Sequence, residues 1–212
     1  MTLPSEKLIT LNDRGARIAT TFGSVTSGGA NMVLIKKLTA SSSATLSFVD
    51  GASGVVLDDT YKEYVFTFNN IHPATDNADF TFNMSTDGGS NYNVTKTTTV
   101  FTAQHSEAGS DTGVFYVTAD DLAQSTAFQI VLGLIGNDAD QSASGTLNLF
   151  NPSSTTFVKH FIATGNSYYS GNYSLNDYVA GYGNTTSAVD AIQFKMSSGN
   201  IDAGDICLYG IA

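Results

Sequence analysis

Short segments in which apolar and polar residues alternate recur along most of this sequence, and they limit its fold more than any other feature. In residues 61–70 (YKEYVFTFNN), Tyr64, Phe66 and Phe68 fall on one side of an extended chain. After residue 32 we predict about ten or eleven such strands, separated by turns rich in Gly, Asn, Asp and Ser. No long amphipathic helix is predicted. The sequence therefore predicts an all-β fold, an antiparallel β-sandwich of the jelly-roll type.

Two of the predicted strands come last, at residues 188–197 and 203–211. Apolar residues such as Ile192 and Phe194 alternate in the first strand, Leu208 is typical of the second, and a Ser-Gly-Asn turn separates them. Because a short polar turn between two strands is the usual sign of a β-hairpin, we expect these two strands to pair with each other.

The first 32 residues have no clear hydrophobic period, and the one basic grouping of the chain, Arg14, Arg17, Lys36 and Lys37, lies near the N-terminus. We therefore divide the chain into an extended N-terminal attachment arm, residues 1–32, and a β-sandwich domain, residues 33–212. The arm is expected to pack on a neighbouring chain or another partner. The side chains expected to make that contact are Leu8, Ile9, Leu11, Arg14, Arg17, Ile18 and Phe22.

The charge of the chain excludes some classes of partner. Charged residues make up 13% of the sequence, the formal net charge is −10 and the isoelectric point is about 4.4. Such an acidic chain repels phosphate backbones, so we predict no binding to nucleic acid. The first residues have no signal-peptide pattern and the longest apolar run is too short to span a bilayer, so we predict cytoplasmic synthesis without membrane insertion.

Residues with catalytic or metal-binding potential are scattered. The three histidines, His72, His105 and His160, do not have the spacing of metal ligands. Adjacent carboxylates such as Asp120 and Asp121 point to opposite faces of a strand and cannot form the pair that a glycosidase needs. We therefore predict no enzymatic activity, no cofactor and no metal, while turns rich in Asp and Asn leave a calcium site open as an alternative.

A tyrosine-rich segment late in the sequence is the strongest candidate for a binding site. Tyrosine offers a flat apolar ring and a hydroxyl group, and neighbouring Ser, Gly and Asn residues add adaptable hydrogen bonds, a combination suited to a glycan or receptor. The candidate contact residues are Tyr168, Tyr169, Asn172, Tyr173 and Tyr182. The alternative is that Tyr173 and the nearby Tyr178 belong to the core or to a subunit interface.

A set of short segments, in order, resembles β-sandwich structural proteins of tailed bacteriophages. The segments are 43–48 (SATLSF), 61–66 (YKEYVF), 70–75 (NIHPAT), 82–89 (FNMSTDGG), 192–194 (IQF), 198–201 (SGNI) and 208–211 (LYGI). This resemblance implies a virion component and supplies no catalytic residue.

Three functions follow as expectations. The first is a tail-fibre or tail-tip adhesin, a homo-oligomer, expected as a trimer, that is attached to other virion proteins through its arm and contacts a host-surface glycan. The second is a capsid decoration protein that stabilises the shell. The third is a lectin-like carbohydrate-binding module or a carbohydrate-active enzyme unconnected with a virus. For the first two we expect the chain to be located in the virion.

Overall fold

The fold is built almost entirely from antiparallel strands. The computed structural model describes residues 9–11 and 17–19, for which only the backbone is described, and residues 32–212. The chain divides into two units, residues 1–31 and 32–212. The strands are β1 (Ile9–Leu11), β2 (Arg17–Ala19), β3 (Met32–Thr39), β4 (Leu46–Val49), β5 (Glu63–Pro73), β6 (Ala78–Ser85), β7 (Lys96–Ser106), β8 (Thr112–Tyr116), β9 (Gln129–Ile135), β10 (Ala143–Phe150), β11 (Lys159–Tyr169), β12 (Tyr173–Gly183), β13 (Ala191–Met196) and β14 (Ile201–Ile211).

Eight of these strands form a jelly roll. Taken in chain order, the first pairs with the last (β3 with β14), and the following pairs are β4 with β13, β5 with β10 and β6 with β9. The two resulting rows, β3-β14-β5-β10 and β4-β13-β6-β9, lie on opposite sides of the core. Such nested pairing defines a jelly roll. The predicted all-β, antiparallel sandwich is therefore confirmed.

The other four strands of residues 32–212 are insertions that widen one row. β7 and β8 lie between β6 and β9 in sequence, and β11 and β12 lie between β10 and β13. They continue the first row as β10-β11-β12-β7-β8, which gives eight strands on that side. A single residue pair, Tyr169 with Ile135, joins the widened row to β9.

Aromatic side chains fill the space between the rows. Phe194 of β13 lies at the centre, with its ring centroid 5.3 Å from that of Phe68 and 5.5 Å from that of Phe80. Phe82 contacts Phe161 of β11 edge to face at 4.9 Å, which extends the core beneath the inserted strands. All of these rings are essentially inaccessible to solvent. The alternation seen in the sequence thus places one face of each strand in a common core.

The expected C-terminal hairpin is wrong. β13 pairs with β4 and β6, whereas β14 pairs with β3 and β5. The turn at 197–200 therefore carries the chain from one row to the other across the core. Both a hairpin and such a crossing use a short polar turn between alternating strands, so the local pattern cannot distinguish them.

The N-terminal unit contains a two-stranded antiparallel ladder in which Ile9 pairs with Ala19 and Leu11 with Arg17. Of the residues expected to make contacts in the arm, Ile9, Leu11, Arg17 and Ile18 belong to this ladder. Leu8, Arg14 and Phe22 lie outside the described residues.

Candidate functional site

The tyrosine-rich segment forms the tip of the β11–β12 hairpin. Tyr169 pairs with Tyr173 across a three-residue loop, and Asn172 closes the loop in the left-handed region at φ +63°. The Tyr169 and Tyr173 ring centroids are 5.6 Å apart. The Tyr173 hydroxyl donates to Asp111 Oδ2 at 3.2 Å and the Tyr168 hydroxyl donates to Asn172 Oδ1 at 3.4 Å. Four of the five candidate contact residues therefore lie together.

Acidic neighbours influence two of these tyrosines. Hydrogen bonding to Glu107 raises the pKa of Tyr168, and hydrogen bonding to Asp111 raises the pKa of Tyr173. Both phenols keep their protons at neutral pH and remain hydrogen-bond donors. A shallow depression of about 270 Å³ beside them is lined by His105, Asn166 and other polar residues. This tip can therefore offer hydroxyl and amide groups to a polar ligand.

Tyr182 does not belong to that cluster. It lies nine residues farther along β12 than Tyr173, which corresponds to about 30 Å of extended strand. There it pairs with His160, with 6.1 Å between the ring centroids. The five predicted contact residues thus divide into a hairpin tip and a separate position on the sheet.

The outward side chains of β7, β8, β10, β11 and β12 carry no formal charge, although carboxylates of neighbouring segments contact them at the margin: Asp121 Oδ2 accepts the Tyr116 hydroxyl at 2.6 Å, and Glu63 Oε1 accepts from Asn148 Nδ2 at 2.7 Å. Here "the neutral face" denotes the outward-pointing side chains of β7, β8, β10, β11 and β12. The charged residues within these five strands are Lys96, Lys159 and Asp177, and all three point inward and are buried. The outward positions hold Thr, Asn, Ser, Ala, His and aromatic or aliphatic residues instead.

The neutral face carries five of the eleven large exposed apolar side chains among residues 32–212. Phe101 and Tyr178 stack with parallel rings at 4.8 Å, and Tyr116 lies directly across from Phe101 on β8. Ile162 and Val114 are 53% and 70% exposed. A groove of about 450 Å³ runs beside the stacked rings over Thr99 and Ala180, with Tyr182, His160 and Phe150 along its far side. Burying such a surface against a partner is favourable because apolar area leaves water.

The sequence prediction included Tyr182 and weighed Tyr178 as a core or interface residue, but it missed the face that they share. A signal was present: the polar positions of residues 96–106 and 173–183 hold Thr, Asn and Ser where a solvated strand usually has Lys or Glu. Recognising it requires knowing that these strands are neighbours, and they are about 70 residues apart in sequence.

A second feature is a pair of carboxylates that hold an irregularity in β9. The ladder between β6 and β9 contains a bulge near Gly133 and Leu134, and Leu134 adopts φ +55°. Asp177 of β12 accepts the Gly133 N–H at 2.8 Å, and Asp79 of β6 accepts the Leu134 N–H at 2.9 Å. Asp177 also accepts from the Thr102 hydroxyl at 2.6 Å. Asp177 Oδ2 therefore links the two rows through Gly133, while Oδ1 is held by Thr102 of the adjacent strand β7.

Asp120 lies near this bulge and lines the same cavity of about 260 Å³ as Asp177, Tyr169 and Phe115. Burial raises the pKa of Asp120 to about 6, with repulsion from Asp79 and Asp177 adding to the effect. Burial also raises the pKa of Asp177, against the hydrogen bonds from Thr102 and Gly133. The fold thus brings together carboxylates that are far apart in sequence, although Asp177 has both oxygens occupied by the protein itself.

The third polar feature is a lysine in the core. Lys96 is fully buried, and its Nζ donates to Asn83 Oδ1 at 2.5 Å and to the Val94 carbonyl at 2.9 Å. Burial lowers the pKa of Lys96 to about 7. Asn83 in turn donates to the Tyr92 and Thr126 carbonyls at 2.8 and 2.9 Å. This network links β7 of one row to β6 of the other and has no opening to a ligand.

Within the described part of the chain, no three His, Cys, Asp or Glu side chains come close enough together to hold a metal ion. His72 Nδ1 lies 3.9 Å from Asp202 Oδ2. His105 and His160 belong to the neutral face, on β7 and β11. None of the described residues forms a helix that is long and apolar enough to cross a membrane.

Comparison with known proteins adds no relative. No protein-family model, no curated protein and no solved structure matches the chain.

Proposed function

We propose that this chain is a structural protein of a tailed-bacteriophage virion, an adhesin-type module of a tail fibre or tail tip. The observation that carries the proposal is the neutral face, a broad surface of uncharged outward side chains on the jelly roll. The buried polar groups Lys96, Asn83 and Asp177 are instead bonded within the protein and hold the fold together. Charge depletion with exposed aromatic rings is typical of surfaces that bind a macromolecular partner. The resemblance to phage β-sandwich proteins supplies the setting, and the hairpin tip supplies the glycan-contact residues.

The experiment is to locate the chain in purified particles. Peptide mass spectrometry should detect it among virion proteins, and gold-labelled antibody against residues 32–212 should mark the tail in negative-stain images. Absence of the chain from particles would contradict the proposal. A host-adsorption assay with free chain as competitor then tests attachment, with a variant of the tip (Tyr168→Ala with Tyr173→Ala) expected to compete less well.

A capsid decoration protein is the second candidate, and one observation favours it. The β3 edge of the sandwich exposes Met32, Val33 and Leu34 to 50%, 38% and 55%. Among residues 32–212, β14 is the one strand that pairs with β3, and an edge of this kind with apolar side chains is suited to strand addition by a neighbouring subunit. Copy number separates the two candidates: densitometry of purified virions would give hundreds of copies for a shell protein and a few tens or fewer for a tail protein.

A further inference from the structure

We propose that the neutral face packs against the neutral face of a second copy of this chain, so that two widened rows stack face to face. The inference rests on the proposed function, because a virion structural protein is present in several copies that must contact one another. The charge, the area and the shape of the neutral face all favour a second copy of this chain as its partner.

The distribution of charge favours a second copy at this face. Residues 32–212 contain six lysines and no arginine against seventeen carboxylates, a formal net charge of −11. Two copies therefore repel each other at long range. The outward side chains of the neutral face are uncharged, and the carboxylates that contact them, Asp121 at Tyr116 and Glu63 at Asn148, lie at its margin. Two copies can therefore meet there with few charged groups to desolvate and few carboxylates facing one another.

The size of the face matches what a stable contact needs. Five strands spaced by about 4.8 Å span roughly 24 Å, and the nine residues from His160 to Tyr168 span about 27 Å. The projected area is thus roughly 650 Å², and the accessible area of the side chains is larger. A standard interface buries about 800 Å² per partner. Five of the large exposed apolar residues, Phe101, Val114, Tyr116, Ile162 and Tyr178, lie within this area.

The shape of the face suits a two-fold arrangement. A row of side chains crosses it from Tyr116 through Phe101 and Tyr178 to Thr164, each directly opposite the next on the neighbouring strand. This ridge lies beside the groove over Thr99 and Ala180. A two-fold axis that lies in the plane of the contact, parallel to the ridge and midway between ridge and groove, places the ridge of one copy in the groove of the other. This is the self-complementarity that an isologous contact requires.

The test is sedimentation velocity and light scattering on the full chain between 1 and 100 µM, at 20 and 500 mM NaCl. We expect association in the micromolar range or tighter, and we expect it to strengthen with salt because the repulsion between acidic copies is screened. Ile162→Glu and Tyr178→Glu should each weaken association at least tenfold with an unchanged circular dichroism spectrum, since both side chains already reach solvent.

Ala52→Glu is the matched control, because it adds the same charge at an exposed position in the turn after β4 and should leave association unchanged. Four results would overturn the inference: a monomer at 100 µM at both salt concentrations, association that weakens with salt, equal weakening by Ala52→Glu, or a monomeric wild type that binds an uncharged polysaccharide through Ile162 and Tyr178. A chain found in particles but monomeric overturns this inference alone. A self-associating chain missing from particles overturns the proposed function alone.

Discussion

Replacing the buried Lys96 with methionine should stabilise the protein at neutral pH and should lose that advantage in alkali. In the unfolded chain the pKa of lysine is 10.5, and burial lowers the pKa of Lys96 to about 7. Between these values the unfolded chain binds the proton more strongly than the fold does, so the stability of the wild type rises as the pH rises from 7 to 10.5. A methionine is similar in length and unbranched, and it carries no such proton.

The magnitude follows from the shift. The fall in the pKa of Lys96 from 10.5 to about 7 corresponds to roughly 4–5 kcal/mol of destabilisation of the wild type at pH 7. Lys96→Met also removes the donor to the Val94 carbonyl, which costs about 1–3 kcal/mol. The variant should therefore be more stable by about 1–4 kcal/mol at pH 7. Between pH 7 and pH 10 the wild type should recover roughly 3–4 kcal/mol relative to the variant.

Urea unfolding followed by far-ultraviolet circular dichroism at several pH values between 7 and 10 measures this difference directly. Lys62→Met serves as the control, because Lys62 is exposed and its replacement should change the free energy of unfolding by no more than about 0.5 kcal/mol. A constant difference between wild type and Lys96→Met across this range would refute the reasoning, since it would mean that the amine keeps its proton equally well in both states.

Three further predictions concern other parts of the chain. Asp120→Asn should stabilise the fold by about 1 kcal/mol at pH 7.5, after allowance for solvent screening, and should give no gain at pH 4. The raised pKa of about 6 means that the folded protein binds the Asp120 proton more tightly than the unfolded chain does, and this contribution to stability is lost as the pH rises through 6. Asparagine resembles the protonated side chain, so it gains stability only above that pH. Equal changes in the free energy of unfolding at pH 7.5 and pH 4, measured in urea titrations, would contradict the prediction. Gly165→Ala should destabilise the sandwich by about 1–3 kcal/mol, because a Cβ there would lie 2.5 Å from Leu132 Cδ2 and 2.7 Å from the Ser144 carbonyl; an unchanged denaturation midpoint would show that β9 can move aside. Deletion of residues 2–30 should leave the circular dichroism spectrum of the sandwich intact but abolish incorporation into the assembly, and a truncated chain found in particles at wild-type occupancy would show that residues 32–212 carry attachment.

Local pattern in the sequence predicted the strands well because each one places a buried face against the same core. The alternation of Tyr64, Phe66 and Phe68 is visible in any window of ten residues, and all three side chains are buried. Which strands pair with each other cannot be predicted from such a local pattern. The choice of β6 and β4 as neighbours of β13 depends on chain segments more than 100 residues away. A turn of the same composition serves a hairpin at 170–172 and a crossing between rows at 197–200.

The candidate sites show the same division. The hairpin tip was predictable because Tyr168, Asn172 and Tyr173 are neighbours in sequence. The neutral face was not, since it is a property of five strands side by side. Nor was the proximity of Asp177 to Asp120, because they come from separate elements. The pKa of Lys96 depends on burial that the residue type argues against, since lysine is seldom fully buried without a paired charge.

The nested pairing of the jelly roll also sets an order of events during synthesis. β3 needs β14 as its neighbour, and Leu38 pairs with Ile206, 168 positions later. At 5–20 residues per second the ribosome takes roughly 8–34 s to cover that distance. By contrast, β10, β11 and β12 follow one another and pair as successive hairpins. β10, β11 and β12, three of the five strands of the neutral face, can therefore pair with one another before β14 is available to β3.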